Sequence, residues 1–162
     1  MKSNPWRSKV KSLSTLSALA SKLRQKGKKI VFTNGCFDIL HLGHVDYLER
    51  AKGLGDILVV AINRDASVRK LKGPERPVNS EKDRAGVLAG QQAVDFVVFF
   101  GEDTPLRSIQ AIKPDVLVKG GDWSVSKIVG ADFVLGRGGK VKSLKFLKGR
   151  STTQTLKKIK NL

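Results

Sequence analysis

The run Ile30-Val31-Phe32-Thr33-Asn34-Gly35-Cys36-Phe37-Asp38-Ile39-Leu40-His41-Leu42-Gly43-His44 holds the transition on which the fold turns. Its first four residues are apolar or β-branched and stop at Asn34-Gly35, the signature of a strand entering a turn. From His44 onward, Val45, Leu48 and Ala51 share one helical face, and Gly53 and Gly55 supply the stop. Ile57 to Ile62 is a continuous apolar run between Asp56 and Asn63, as expected of a strand buried on both faces of a parallel sheet. Strand, glycine-containing loop, helix and strand together make a βαβ unit.

Working outward, Asn63 to Asn79 is a polar stretch with five Lys or Arg residues, long for a connection and therefore expected to be a functional loop. Ser80 is placed to cap a helix ending near Gln91, with Glu81 and Asp83 in its first turn matching the helix dipole. Phe96 to Phe100 reads as a strand. Thr104 is expected to cap the next helix, with Pro105 at its first position and Lys113-Pro114 at its end. Val116 to Val118 forms a further strand that breaks at Gly120-Gly121. Short strand pieces follow around Phe133 to Leu135 and Val141 to Leu147, and Ser151 opens a last helix with Leu156 and Ile159 on one face. Such alternation predicts an α/β fold, Rossmann-like and doubly wound, with a mainly parallel sheet and helices on both faces.

A chain of 162 residues is the size of one domain. Residues 1–29 read as a basic helical extension, with Leu13, Leu16, Leu19, Ala20 and Leu23 at helical spacing, and residues 30–162 as the domain proper. The net charge of +17 is concentrated at the ends: residues 1–29 and 137–162 each carry nine basic residues and no acid. Residues 30–136, with 13 basic and 14 acidic side chains, are balanced. Solvated faces explain such runs most simply, so nucleic acid is not expected as the partner. No apolar run approaches the length of a bilayer span, and no secretory signal is recognisable, so no membrane is expected. The single cysteine, Cys36, excludes an intramolecular disulfide and has no companion for a structural zinc site, which fits a cytoplasmic, reducing setting.

The chain has two histidines, His41 and His44, three residues apart where the loop meets a helix N-terminus. A first helical turn presents unpaired N–H groups and a positive dipole end, which bind phosphate, and neighbouring imidazoles donate further hydrogen bonds. Gly43 between them removes a side chain that would obstruct close approach. Lys72 and Arg76 can bring positive charge to a triphosphate from the polar stretch, and Arg84 from the helix after it. Lys119-Gly120-Gly121-Asp122 lies where a strand ends, the edge at which open α/β sheets bind ligands. Ser151-Thr152-Thr153 at a helix start serves equally as a cap or as a phosphate contact. Gly136-Arg137-Gly138-Gly139-Lys140 lacks the spacing of a phosphate loop and reads as a turn.

Thr33-Asn34-Gly35-Cys36-Phe37-Asp38 followed by His41-Leu42-Gly43-His44 resembles the HxGH motif of the cytidylyltransferase-like nucleotidyltransferase superfamily. Asp65-Ala66-Ser67-Val68, Lys72-Gly73, Arg76-Pro77-Val78-Asn79, Glu102-Asp103-Thr104-Pro105, Leu117 to Asp122 and Ser151-Thr152-Thr153 extend the likeness to the adenylyltransferase domain of bacterial heptose-phosphate enzymes. The resemblance implies in-line attack of D-glycero-β-D-manno-heptose 1-phosphate on the α-phosphorus of ATP, giving ADP-heptose and pyrophosphate for lipopolysaccharide core synthesis. It implies His41, His44, Lys72 and Arg76 as catalytic groups. Thr33, Asn34, Gly35, Phe37, Gly43, Lys119, Gly120, Asp122, Ser151, Thr152 and Thr153 are implied nucleotide contacts, and Asp38 and Arg84 substrate contacts. It further implies Mg²⁺ carried with the triphosphate, no metal held by protein ligands, and a homodimer. No sugar-kinase segment accompanies the domain. Two alternatives stand beside this reading: a cytidylyltransferase for glycerol 3-phosphate or another polyol phosphate, and a nucleotide- or RNA-binding protein without catalysis. Phe146 occupies the place where relatives making CDP-glycerol carry an arginine, which weighs against the first.

Overall fold

Alternate residues of the central strands are buried on opposite sides, so the sheet needs a helical layer on each face. The computed structural model describes residues 5–162. It contains five strands, β1 (Ile30–Gly35), β2 (Ile57–Asn63), β3 (Phe96–Phe100), β4 (Val116–Gly120) and β5 (Lys140–Leu144), all parallel and in the order β3-β2-β1-β4-β5. In register, Thr33 of β1 lies beside Val60 of β2 and Val118 of β4.

One face carries Val31, Leu58, Val60, Ile62, Val97, Val116 and Val118. Over it pack α2 (Leu42–Lys52) through Tyr47, Leu48 and Ala51, and α4 (Glu81–Ala89) through Ala85, Leu88 and Ala89. The other face carries Ile30, Phe32, Val59, Ala61, Val98, Phe100 and Leu117. It is covered by α1 (Leu13–Gln25), α5 (Leu106–Ile112) and α6 (Ala131–Gly136). Helices after β1 and β2 thus lie on one face and those after β3 and β4 on the other, which is the doubly wound Rossmann-like arrangement. Its direction reverses between β1 and β4, and sheets of this kind take their ligands at the C-terminal strand ends beside such a reversal.

Three local expectations are corrected. Residues Asn63–Asn79 are not all loop, because α3 (Asp65–Lys72) forms at their start with Ser67 and Val68 buried. Asp65 in its first turn and Arg69, Lys70 and Lys72 in its last complement the helix dipole. Phe133 to Leu135 belongs to α6 and not to a strand, since Ala131 and Val134 bury one helical face against Ile109 and its neighbours. Pro105, not Thr104, is the N-cap of α5, and no side chain caps that helix. Ser80 does cap α4, accepting from Asp83 N–H at 3.2 Å.

The N-terminal segment is built into the same core. Leu16 and Ala20 of α1 are buried among the second-face residues, and Ser17 Oγ donates to the Ala111 carbonyl at 2.7 Å. Ahead of α1, Val10 forms a parallel bridge to Val97 after a short 3-10 turn at Pro5–Lys9. No helix among the described residues is long and apolar enough to cross a membrane. Because Leu16 is almost wholly buried, Leu16→Ala is expected to lower unfolding free energy by about 2–5 kcal/mol. A urea titration should show a reduced midpoint with an unchanged slope.

Candidate active site

The loop from β1 into α2 carries the two histidines. His41 is the N-cap residue of α2 in extended conformation, and His44 follows in the first turn. Their rings stack with centroids 3.9 Å apart and planes 23° from parallel. The Nδ1 atoms of both are buried and have no hydrogen-bond partner among the described residues. Burial pushes the His44 imidazole down to about 4, with His41 adding to the effect. His41 is also lowered, by burial first and then by Arg150. Both imidazoles are therefore neutral at pH 7, beside the free N–H groups of a helix start.

The loop path is set by packing as well as by charge. Phe37 and Ile39 have positive φ values of 48° and 53°. The Phe37 ring is buried over Gly35, where a Cβ would lie 2.9 Å from it, and stands 5.4 Å from the His44 ring. A Cβ on Gly43 would lie 3.0 Å from His41 and 3.1 Å from Arg150 Cβ.

Asp38 ties this loop to two distant segments. Its side chain is 0% exposed and accepts from Arg76 Nε at 2.8 Å, Val78 N at 2.8 Å and Asn79 N at 3.0 Å. Burial alone would raise its carboxyl; the two backbone N–H groups and the guanidinium outweigh that and hold it below the usual range. Its carbonyl accepts from Thr152 Oγ1 at 2.7 Å, at the start of α7 (Thr152–Lys160). The Arg76–Pro77 peptide in the tethered segment is cis.

Burial pushes the Cys36 thiol up, an effect that its cationic neighbours Lys72, Arg84, Arg76 and Lys119 oppose. Lys119 is itself lowered by burial, with Lys72 contributing. Arg76 is paired with Asp38 and Arg84 with Asp65, whereas Lys72 and Lys119 have no ion-pair partner among the described residues.

Several residues expected to touch ligand are committed to the protein. Arg84 is 1% exposed and spends its donors on the carbonyls of Asn79, Cys36 and Asn63 and on the Asp65 carboxylate. It braces three chain segments. The Asp38 carboxylate is filled in the same way and ties the loops together. Thr33 Oγ1 is buried at 2.6 Å from Tyr47 Oη, whose pKa burial pushes to about 12. Thr152 spends its hydroxyl on Asp38, and Ser151 caps α7 by accepting from Gln154 N at 3.2 Å. Thr153 is exposed, as is Asp122, which stands 4.0 Å from Lys145 Nζ. Asn34, Gly35, Lys119 and Gly120 sit at the C-terminal ends of β1 and β4, and Gly43 in the first turn of α2. Arg150 was not singled out from sequence, although its place directly before Ser151 was a usable signal.

The cytidylyltransferase-like family matches residues 32–138. The chain is 53% identical over 152 residues to the bifunctional protein HldE of Citrifermentans bemidjiense, and 55% identical over 151 residues to that of Wolinella succinogenes. These alignments cover 94% and 93% of this chain but 31% of each relative, so the chain spans about a third of the length of the curated relatives it matches. Among solved structures, the lipopolysaccharide core biosynthesis protein of Thermoplasma volcanium superposes with a TM-score of 0.61 at 31% identity, covering 76% of this chain and all of that one. Pantoate-beta-alanine ligase of Francisella tularensis, solved with beta-gamma ATP and beta-alanine, superposes with a TM-score of 0.62 over 94% of this chain and 78% of its own. At 16% identity that likeness is one of fold alone.

The lowered histidines make a pH prediction. In the unfolded chain His44 takes its proton near the ordinary 6.5, and in the folded protein only near 4, so the unfolded state binds more protons between those values. Stability is fully present above about 6.5 and is lost as pH falls toward about 4. Urea midpoints across that range should fall for the wild type and fall less steeply for His44→Gln.

Proposed function

The chain belongs to the cytidylyltransferase-like family, and we propose that it transfers AMP from ATP to D-glycero-β-D-manno-heptose 1-phosphate, releasing pyrophosphate and forming ADP-heptose. The observation that carries the reading is the stacked pair His41 and His44 at the start of α2, in the loop whose Cys36 has the unpaired cations Lys72 and Lys119 for neighbours. Identity above 50% to proteins named HldE over most of this chain supports the heptose-phosphate acceptor, as does the run of motifs from Asp65 to Thr153. That the similar Thermoplasma volcanium structure is a lipopolysaccharide core biosynthesis protein supports the same pathway.

A phosphate oxygen of the sugar 1-phosphate attacks the α-phosphorus in line, and the bond from that phosphorus to the β-phosphate bridging oxygen breaks as pyrophosphate leaves. The nucleophile is already ionised, so no general base is required of the protein. Its task is to hold two mutually repelling anions in line and to stabilise negative charge growing on the bridging oxygen. Neutral His41 and His44 serve as hydrogen-bond donors to the phosphates, and the arriving anion favours their protonation. Lys72, Arg76 and Lys119 neutralise the triphosphate, and the backbone at Asn34, Gly35, Gly43 and Gly120 admits it closely. No group of carboxylates or imidazoles among the described residues is arranged to hold a metal ion, so Mg²⁺ bound with the triphosphate would be held by the substrate's oxygens and water and would supply charge neutralisation. This agrees with Asp38, in the same loop as the histidines, being committed to Arg76 and two backbone N–H groups.

In this reading residues 30–162 form the nucleotidyltransferase domain and residues 1–29 an extension that stiffens it through α1. The enzyme works as a homodimer in the cytoplasm, where a lone thiol at Cys36 stays reduced.

Purified protein offered ATP, CTP, heptose 1-phosphate and glycerol 3-phosphate in all pairings should release pyrophosphate with ATP and the heptose phosphate. Turnover with CTP and glycerol 3-phosphate alone would replace this reading by the polyol-phosphate one. Tight, salt-dependent RNA binding with no sugar nucleotide formed would replace it by a binding role. His41→Ala and His44→Ala should each lower kcat by about 10²–10³-fold, the size found on removing one donor to a developing oxyanion. Circular dichroism should show both variants folded.

A further inference from the structure

Two aromatic side chains lie against the glycine pair that ends β4, and nothing in the chemistry above uses them. Phe146, in the segment after β5, sits so close to Gly120 that a Cβ there would fall 2.5 Å from its ring. A Cβ on Gly121, whose φ is 112°, would lie 3.1 Å from Trp123 Nε1 and 3.5 Å from Phe146 Cε2. Both rings therefore rest on bare backbone at the point where the sheet reverses direction. Yet Phe146 is 56% exposed and Trp123 49% exposed.

We propose that Phe146 is the surface on which the nucleobase of the triphosphate stacks, with Trp123 as the adjoining wall. The assignment rests on the nucleotidyltransfer reading above and deepens it by naming what selects the base. A large apolar ring held on backbone and left more than half open, between the exposed Lys145 and Lys148, gains by accepting a flat π system. Trp123 is fixed in place and its hydrogen-bonding capacity is spent. Its Nε1 donates to the Gly120 carbonyl at 3.1 Å, and its backbone N–H to Ser143 Oγ at 3.1 Å, while Ser143 in turn donates to the Gly121 carbonyl. What remains for a ligand is the indole surface.

The ring and the phosphate site are joined through one short segment, since Arg150, four residues after Phe146, has its Cβ 3.1 Å from a Cβ placed on Gly43 between the two histidines. Tyr47 lies one helical turn beyond His44 on α2, and its ring is 6.0 Å from that of Phe146. A triphosphate at the histidines thus brings its nucleoside toward the aromatic pair. The glycines are part of the device, because any side chain at 120 would displace the ring. A purine offers more surface to such a platform than a pyrimidine does, which favours ATP over CTP.

The test uses the full chain carrying Trp6→Phe, a change remote from the site that leaves Trp123 as the sole tryptophan. Its fluorescence is followed during titration with a non-hydrolysable ATP analogue, and tripolyphosphate binding is measured in parallel by calorimetry. Phe146→Leu keeps an apolar contact on Gly120 and Tyr47 but removes the π face, whereas Phe146→Tyr keeps the ring. Phe146→Leu should weaken the ATP analogue roughly 30-fold, the middle of the range for one stacked base, and leave tripolyphosphate affinity unchanged, whereas Phe146→Tyr should bind the analogue as the unsubstituted protein does. Wild-type affinity in Phe146→Leu would overturn the proposal. So would an equal loss for tripolyphosphate, which marks a structural role, or a change confined to the KM of the sugar phosphate, which assigns the ring to the acceptor. Failure of the unsubstituted protein to bind either phosphate compound would instead remove the nucleotidyltransfer reading beneath it.

Discussion

The buried Asp38 carboxylate takes three hydrogen bonds from the Arg76–Asn79 segment, while its own carbonyl accepts the Thr152 hydroxyl. One residue thereby joins the loop before α2, the segment before α4 and the start of α7. A buried carboxylate is tolerable only when its lone pairs are filled and an opposite charge is adjacent, and here both conditions are met from a single short stretch. Removing the carboxylate would leave Arg76 half-buried and unpaired and release two backbone N–H groups at once. The cationic loop and the histidine loop are therefore fixed relative to each other by chain geometry that exists before any ligand arrives.

That anchorage explains how strained backbone persists nearby. Phe37 and Ile39 both adopt left-handed φ, each at a cost of about 1–3 kcal/mol for a non-glycine residue. Asp38 lies between them and is held from both sides, and the Phe37 ring is wedged between Gly35 and His44. The result is a tight path that delivers His41 to the N-cap and His44 to the first turn of α2 with their rings in contact. Below the loop, Arg84 performs the same service for carbonyls, binding those of Cys36, Asn63 and Asn79 in one buried fork. Two charged side chains of opposite sign thus organise the peptide groups that hydrophobic packing alone would leave unpaired.

Much of this architecture is legible in the sequence because it rests on periodicity. The apolar runs at Ile30, Ile57, Phe96 and Val116 are long enough to mark strands, and the glycine-bounded helix after His44 marks the first crossover. The α3 helix escaped because only Ser67 and Val68 are buried in it, too few to show a stripe. The Phe133 piece was misjudged because six residues of α6 are too short to separate a helical from an extended period. Roles of charged residues were the least legible. Arg76 and Arg84 look alike in sequence, yet Arg76 keeps part of its side chain exposed while paired with Asp38 and Arg84 is sealed in the interior. Nothing local to Thr33 announces that Tyr47, fourteen positions on, will take its hydroxyl.

The electrostatic state follows from the same burial. Two stacked imidazoles cannot both carry charge at 3.9 Å without an anion between or beside them, and burial from water makes the charged form costlier still. Lys72 and Lys119, meanwhile, lack carboxylate partners among the described residues, and Lys119 is lowered by its surroundings. The free site therefore stores unmet demand for negative charge in two forms, as unneutralised ammonium groups and as imidazoles ready to gain protons. In the proposed transfer, an incoming polyphosphate would satisfy the lysines first, through long-range attraction, and then shift the histidines toward their charged form as it settles. Because such shifts grow with the charge at the bridging oxygen, the histidines would respond more strongly to a transition state that accumulates charge than to the bound ground state. That difference is the one through which the proposed reaction would be accelerated.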